Sequence, residues 1–427
     1  EAVPMAVTAI LPFIVLPLAG VASAEETASD YYSPILFLLL GGAFIALAIE
    51  RTGLHRRLSL AILRLVGSGG GPARLLLAFM IAAALLSTLI SNTSTALIMM
   101  PMALAVLDGG GGPGADGDDL PQDGIFGALP MGIAFAASIG GLGTIVGSPT
   151  NAISVGLLDS IAGVRIGFAQ WSLFGVPLVA LSIPLAAWII ARVQRVADQP
   201  FDLPAARAAI TVRAQWSAPE WRVAVLVALT FAAWVTQPLV APMLPKGAWS
   251  DGSIAAIAAI ALFLVPDGTG RSLLVWDEAK AAPWSVIFLF GGGLALAGGM
   301  QASGLTDWLG QALLPLEHWP LLLVALAVVA LVVIVTEFAS NVATATGIVP
   351  VVAALVVALG ADPVLLALPA ALAASWGFML PAGTGPNAIA WATGRIRIER
   401  MVAAGAWLDL AGIVLIVGVV WGIAALT

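Results

Sequence analysis

The 427-residue chain is 60% hydrophobic and only 10% charged, with a formal charge of -7, two histidines and no cysteine. A soluble domain carries roughly a quarter charged residues, so this composition describes an all-α polytopic membrane protein whose outer surface is solvated by lipid. The absence of cysteine excludes disulfides, thiolate catalysis and iron–sulfur ligation. His55 and His318 end apolar runs outside any H-E-x-x-H pattern, so they read as interfacial rather than as metal ligands.

A helix needs about 20 mainly apolar residues to cross a bilayer. Residues 5–22 form the first predicted span. Ala22-Ser23-Ala24 mimics a signal-peptide cleavage site, but no basic segment precedes it, so the helix is expected to be retained. A span over 33–50 and a short amphipathic segment over 53–66 follow. The apolar run 72–107 is too long for one helix and is interrupted by Ser91-Asn92-Thr93-Ser94-Thr95, which predicts a re-entrant helical hairpin with the polar tract at its tip. The Gly- and Asp-rich stretch Asp108–Asp123 lacks the register of a calcium loop and reads as a solvated connection.

Residues 127–160 are broken at Gly147-Ser148-Pro149-Thr150-Asn151 and predict a discontinuous transmembrane helix, closed by a span over 172–193. The polar stretch Arg195–Trp221 is expected to link two halves. Spans over 222–243, 252–266 and 284–301 and an amphipathic segment over 304–316 come next. The run 319–360, interrupted by Ser340-Asn341-Val342-Ala343-Thr344, predicts a second hairpin. A second discontinuous helix over 364–394, broken at Gly383-Thr384-Gly385-Pro386-Asn387, and a span over 403–425 complete the chain. Irregular backbone survives at membrane depth only when buried in protein or lining a wet cavity, so four such breaks point to a central site.

Threading these elements places Arg51, Arg56, Arg57, Arg64, Arg74, Arg192, Arg195, Arg207, Arg213, Arg222, Arg271, Lys280, Arg395, Arg397 and Arg400 on one side, leaving Arg165 and Lys246 on the other. By the positive-inside rule the crowded side is the cytoplasm. The first hairpin then enters from the cytoplasm and the second from outside, an inverted-topology repeat in the plasma (inner) membrane.

Ser, Asn and Thr are good N-caps, so each tip starts a helix whose free N–H groups and positive dipole end face the protein centre. With the two Gly/Pro/Asn breaks, up to four helix N-termini converge and favour an anion. The preceding hairpin arms end there with carbonyls that, with hydroxyls and an Asn oxygen, suit sodium. Glu337 lies inside the second hairpin and reads as orienting the tip or pairing within the moving part, ahead of proton coupling. Asp409, near the cytoplasmic end of the last span, reads as interfacial or as hydrogen-bonded structure.

From about residue 33 onward the chain resembles the divalent anion/sodium symporters, the INDY-like dicarboxylate transporters. The resemblance rests on Ser91-Asn92-Thr93, Ser340-Asn341-Val342, the two Gly-x-x-x-Asn breaks and Phe290-Gly291-Gly292-Gly293-Leu294-Ala295-Leu296. It implies a homodimer of elevator type, with scaffold helices at 1–66 and 222–318, transport parts at 72–194 and 319–427, and a linker at 195–221. It implies a first sodium site at Ser87, Ser91, Asn92 and Gly147, and a second at Thr336, Ala339, Asn341 and Gly383. The implied substrate-binding residues are Ser91, Asn92, Thr93 and Ser148 on one side, and Ser340, Asn341, Val342 and Thr384 on the other. Val342 replaces a threonine of the family pattern, and Gly385 replaces a proline, which loosens the start of that half-helix. The implied activity is sodium-coupled symport of a C4-dicarboxylate such as succinate. A sodium-independent exchanger and a sulfate or other oxyanion transporter are the alternatives of the same architecture. Neither an enzyme nor a nucleic-acid-binding protein is expected.

Overall fold

The computed structural model describes residues 3–67, 71–110, 121–198, 201–202, 204–205 and 215–426, with the side chains of Met5 and residues 64–67 left aside. Most of the Asp108–Asp123 connection, much of the 195–221 linker, Arg207, Arg213 and the Arg64 side chain lie outside the described residues. The described chain is all-α, and seven of its helices are long and apolar enough to cross a bilayer.

The N-terminal part differs from expectation. In place of one span over 5–22 there are two short helices, α1 (Met5–Thr8) and α2 (Leu11–Leu18). The turn between them leaves the Ala9 carbonyl free of the helix, and it accepts the Tyr31 hydroxyl at 2.7 Å. Ser23, in the segment that mimics a cleavage site, instead caps α3 (Ala24–Asp30), with Glu26 completing a capping box.

Next come α4 (Pro34–Thr52) and the amphipathic α5 (Leu54–Gly67). The first polar tract separates α6 (Pro72–Ser87) from α7 (Asn92–Gly109). The first discontinuous helix is α8 (Ile125–Gly141) and α9 (Pro149–Ala162), joined through a short 3-10 turn at Ile145–Gly147. Every residue of α8 is buried, which places it at the centre of the molecule. The long α10 (Phe168–Val193) follows.

The second half begins with α11 (Ala218–Val240) and α12 (Asp251–Leu264). At 14 residues α12 is shorter than the span expected over 252–266, rising about 21 Å. It stops at Leu264 because the chain turns back through an isolated bridge between Pro266 and Ser272. Then come α13 (Trp276–Ala279), α14 (Trp284–Ala302) and α15 (Leu305–Leu313). The second tract separates α16 (Leu321–Phe338) from α17 (Asn341–Leu359). The second discontinuous helix is α18 (Pro363–Ala373) and α19 (Gly385–Trp391), and α20 (Ile398–Ala424) ends the chain. Here the break runs from Ala374 to Thr384, wider than the five residues Gly383–Asn387.

Glycines let the central helices touch. A Cβ at Gly41 would stand 2.5 Å from the Ala255 carbonyl oxygen, so α4 and α12 meet backbone to backbone. Small residues make such approaches in membranes, where no hydrophobic drive separates helix from lipid.

Several basic residues are held in groups of ion pairs. Arg51 reaches Asp267 at 2.6 Å and Glu278 at 3.3 Å, and Glu278 also takes Arg271 at 2.6 Å. Arg57 pairs with Glu220 at 3.2 Å. A second group joins Arg395 to Asp108 at 2.8 Å, and Arg397 and Arg400 to Asp123 at 3.2 and 3.4 Å. Arg400 also donates to the Val193 carbonyl.

Candidate functional site

Four helices begin at one cavity. The N-caps of α7, α9, α17 and α19 are Ser91, Ser148, Ser340 and Thr384, each with extended backbone. All four line a cavity of about 540 Å³. Ser91 Oγ accepts from the Ser94 N–H at 3.1 Å, Ser340 Oγ from Ala343 at 3.2 Å, and Thr384 Oγ1 from Asn387 at 3.2 Å. Ser148 makes no such cap bond. Three of the helices, of 18, 14 and 19 residues, are long enough to carry a full dipole. The fourth is short and supplies N–H donors.

All eight residues expected to bind substrate line this cavity: Ser91, Asn92, Thr93, Ser148, Ser340, Asn341, Val342 and Thr384. The other wall is apolar, formed by Leu39, Gly42, Ala43, Ala46 and Leu47 of α4 and by Pro283, Val286 and Ile287 at the start of α14. Among the described lining residues the one ionisable side chain is Glu50, on the same stripe of α4.

Behind each tip the same construction recurs. Ser87 Oγ lies 2.8 Å from Asn92 Oδ1 and donates to the Ala137 carbonyl at 2.6 Å. Thr336 Oγ1 lies 2.9 Å from Asn341 Oδ1 and donates to the Ala374 carbonyl at 2.8 Å. Ser87 and Thr336 are both fully buried. The inward end of the Asn92 amide is 2.8 Å from Ser87 Oγ and 3.2 Å from both the Ala137 and Gly147 carbonyl oxygens. With nitrogen inward, as the surrounding acceptors require, the two amide hydrogens are shared among these three oxygens. Ser87 Oγ and the Ala137 and Gly147 carbonyl oxygens thus gather at one side chain, a set of hard oxygen donors of the kind sodium takes.

Gly147 and Gly383 occupy matching places. A Cβ on Gly147 would stand 2.6 Å from the Gly141 carbonyl oxygen and 2.9 Å from that of Ser87. One on Gly383 would meet the carbonyl oxygens of Leu380, Glu337 and Thr336 at 3.4, 3.6 and 3.9 Å. Of the expected sodium ligands, Ser91, Asn92, Asn341 and Gly383 also line the cavity, whereas Ser87, Gly147, Thr336 and Ala339 stand outside its lining.

The second break has its own support. Glu337, 1% exposed, accepts N–H bonds from Phe378, from Met379 at 3.0 and 3.1 Å, and from Leu380 at 3.1 Å. The first break instead turns through its 3-10 segment, with Thr144 Oγ1 accepting from Gly147 at 3.0 Å and donating to the Thr88 carbonyl at 2.9 Å. Asp409, expected to be interfacial or hydrogen-bonded structure, is 5% exposed and adjoins Glu337. His55 is 7% exposed, with Nδ1 3.1 Å from the Ile49 carbonyl oxygen.

Sequence reasoning missed Thr144, Glu50 and the apolar wall. Thr144 is a helix-capping residue type three positions before Gly147, the usual spacing of a cap bond. Glu50 offered no local signal beyond being an acid at the end of a span. Among the described residues, no group of three His, Asp or Glu side chains could hold a metal ion.

A family profile described as CitMHS, citrate transporter, matches residues 1–371. The chain is 39% identical over 431 residues to the sodium-dependent dicarboxylate transporter SdcS of Staphylococcus saprophyticus, covering 99% of this chain and 82% of that protein. It is 36% identical over 437 residues to SdcS of Staphylococcus aureus (strain USA300), with the same coverage. Among solved structures it is similar in fold to the YdaH transporter of Alcanivorax borkumensis, with a TM-score of 0.58 at 16% identity over 96% of this chain and 88% of that one.

Proposed function

Because the chain belongs to the citrate-transporter family and to its sodium-dependent dicarboxylate branch, we propose that it is a sodium-coupled symporter of small dicarboxylates such as succinate. The observation that carries this reading is the cavity onto which Ser91, Ser148, Ser340 and Thr384 all open their helix N-termini. N–H groups and dipole ends aimed at one place favour a carboxylate at each end of the substrate. Two sodium ions sit beside it, one at Ser87, Ser91, Asn92 and Gly147 and the other at Thr336, Ala339, Asn341 and Gly383. Each ion braces its tip and offsets the charge of the dianion. Val342 takes the place of a hydroxyl donor, so the second carboxylate relies on Ser340, Asn341 and Thr384.

The two halves form an inverted repeat with re-entrant hairpins at α6–α7 and α16–α17. Helix length alone does not separate a re-entrant arm from a span, since α16 and α17 have 18 and 19 residues. The placement of both tips on the central cavity supports the re-entrant reading. Hairpins, broken helices, α10 and α20 form the transport part, and α4, α5, α11, α12, α14 and α15 form the scaffold of a homodimer. The lining residues Glu50 and Ala281 are next in sequence to Arg51 and Lys280, at the positive-inside ends of α4 and of the segment before α14, which supports a cytoplasm-facing conformation. Outward access follows when the transport part slides along α4 as an elevator.

Uptake of labelled succinate into proteoliposomes, with and without an inward sodium gradient, tests the reading. Uptake that requires sodium is expected. Uptake that ignores sodium and requires preloaded dicarboxylate would make the protein an exchanger, and competition by sulfate alone would make it an oxyanion carrier.

A further inference from the structure

We propose that Thr95, Ser138 and Asn151, with their counterparts Thr344, Ser375 and Asn387, form an inner oxygen tier that completes the two sodium sites from behind. The proposal rests on the sodium sites of the preceding section and adds to each a group of residues outside the expected ligand sets.

All six side chains are 2% exposed or less. Thr95 Oγ1, Ser138 Oγ, Asn151 Oδ1, Thr344 Oγ1, Ser375 Oγ and Asn387 Oδ1 have no hydrogen-bond partner among the described residues. Buried polar atoms are nearly always satisfied, and each exception calls for an explanation. Elsewhere in this chain a helical hydroxyl turns back to the carbonyl four residues before it, as Ser154 does to Thr150 at 2.8 Å, Ser182 to Leu178 at 2.6 Å and Thr346 to Val342 at 2.9 Å. The helical hydroxyls of Thr95, Ser138 and Thr344 forgo that bond, and Ser375, just past the end of α18, makes none either.

The six positions fall into matched pairs. Thr95 and Thr344 each stand one turn beyond the tip asparagines, Asn92 and Asn341. Ser138 and Ser375 each follow the residue whose carbonyl accepts from Ser87 or Thr336. Asn151 and Asn387 each open a half-helix and give their amide N–H to the break, Asn151 to the Gly141 and Thr144 carbonyls at 2.8 Å each and Asn387 to that of Leu380 at 3.1 Å. A chance packing defect would not recur in both halves at all three positions.

Register brings the hydroxyls together. The Asn92 amide lies against Gly141, and α7 leaves the tip while α8 arrives at it, the two packing along one another. Three residues deeper, Thr95 therefore stands opposite Ser138, about 4.5 Å behind the amide. In the second half Ser375 lies just past the end of α18, inside the break, so its pairing with Thr344 rests on the matched sequence positions alone. Asn151 and the sodium site share the Gly141 backbone, since its carbonyl faces both Asn151 and Gly147. Hydroxyl and amide oxygens presented without competing donors suit a hard cation or the water in its shell.

Sodium titrations of the purified full chain, read by melting temperature against a potassium control, test the tier with Ser138→Ala, Ser375→Ala and the near-isosteric Thr344→Val. Each substitution is expected to raise the sodium concentration for half-maximal stabilisation about three- to ten-fold, the size of one lost oxygen contact. An unchanged sodium midpoint, with melting without sodium equal or higher, would overturn the proposal, because deleting a merely orphaned hydroxyl relieves the core. A wild-type chain that sodium does not stabilise would instead remove the sodium sites themselves.

Discussion

Thr93 and Gly385 join the two halves of the site: a Cβ built on Gly385 would stand 2.5 Å from Thr93 Oγ1 and 3.4 Å from its Cγ2. The tip of the first polar tract thus seats directly on the start of α19. The glycine that breaks the family pattern is there for close approach, whatever it does to the stiffness of that half-helix. Gly385→Ala is expected to lower the melting temperature and cut succinate uptake at least about ten-fold, since tight packing resists an added methyl at a cost of about 1–3 kcal/mol. Adding Thr93→Ala is expected to recover the stability but not the uptake. Additive losses in the double variant would show that the two residues do not press on each other.

Asn92 and Asn341 each face a buried hydroxyl, Ser87 or Thr336, at 2.8 and 2.9 Å. Asn92→Ala or Asn341→Ala is expected to abolish succinate uptake while leaving a monodisperse, folded protein, and each is expected to lose sodium-dependent stabilisation. Full uptake in both variants would refute the site assignment.

Glu50 is the one ionisable side chain among the described cavity-lining residues, and it stands on the α4 wall of the cavity. In the elevator mechanism proposed above, a carboxylate on this wall would repel a dianion in the cytoplasm-facing state and favour its release. Glu50→Gln is expected to tighten succinate binding to the cytoplasm-facing state about three- to ten-fold, more at low salt than at high salt. Calorimetry at two ionic strengths checks this, and an unchanged affinity would remove Glu50 from the release step.

Glu337 holds three consecutive backbone N–H groups, those of Phe378, Met379 and Leu380, with both carboxylate oxygens. Glu337→Gln is expected to be nearly as damaging as Glu337→Ala, because the amide nitrogen would point at donors. Each orphaned buried N–H costs about 1–3 kcal/mol. Thermal unfolding in detergent checks the order, and a Gln variant as stable as wild type would show that one oxygen suffices.

Asp267 accepts hydrogen bonds from Arg51, at 2.6 Å, and from the Thr269 hydroxyl and N–H, at 2.7 Å each. The Arg51 guanidinium first, then Thr269, holds this carboxyl well below the usual carboxylate range. A depressed folded pKa stabilises the fold above the unfolded pKa, near 4, and that stabilisation is lost as pH falls through the folded pKa. Asp267→Asn is expected to lower the melting temperature at pH 7, with the gap from wild type narrowing in acid below about pH 4. A gap that stays constant down to the most acidic folded condition would rule out the ion pair as its source.

Much of this protein is legible in its sequence because the relevant signals are local. Apolar run length marks α4, α10, α11, α14, α16, α17 and α20. The Ser-Asn tracts and Gly/Pro/Asn breaks mark where helices start, since capping and φ restrictions act within a few residues. Local chemistry is also where the reading failed at the N-terminus: hydrophobicity over 5–22 could not reveal the turn that hands the Ala9 carbonyl to Tyr31. Tertiary structure alone decided which tips meet. The convergence of four N-caps on one cavity, the seating of Thr93 on Gly385, the Glu337 clasp on residues 378–380 and the burial of Asp409 beside it are contacts between residues far apart in the chain. Their partners are chosen by helix packing and by the need to satisfy buried polar groups where water is absent, and no periodicity in the sequence encodes that choice.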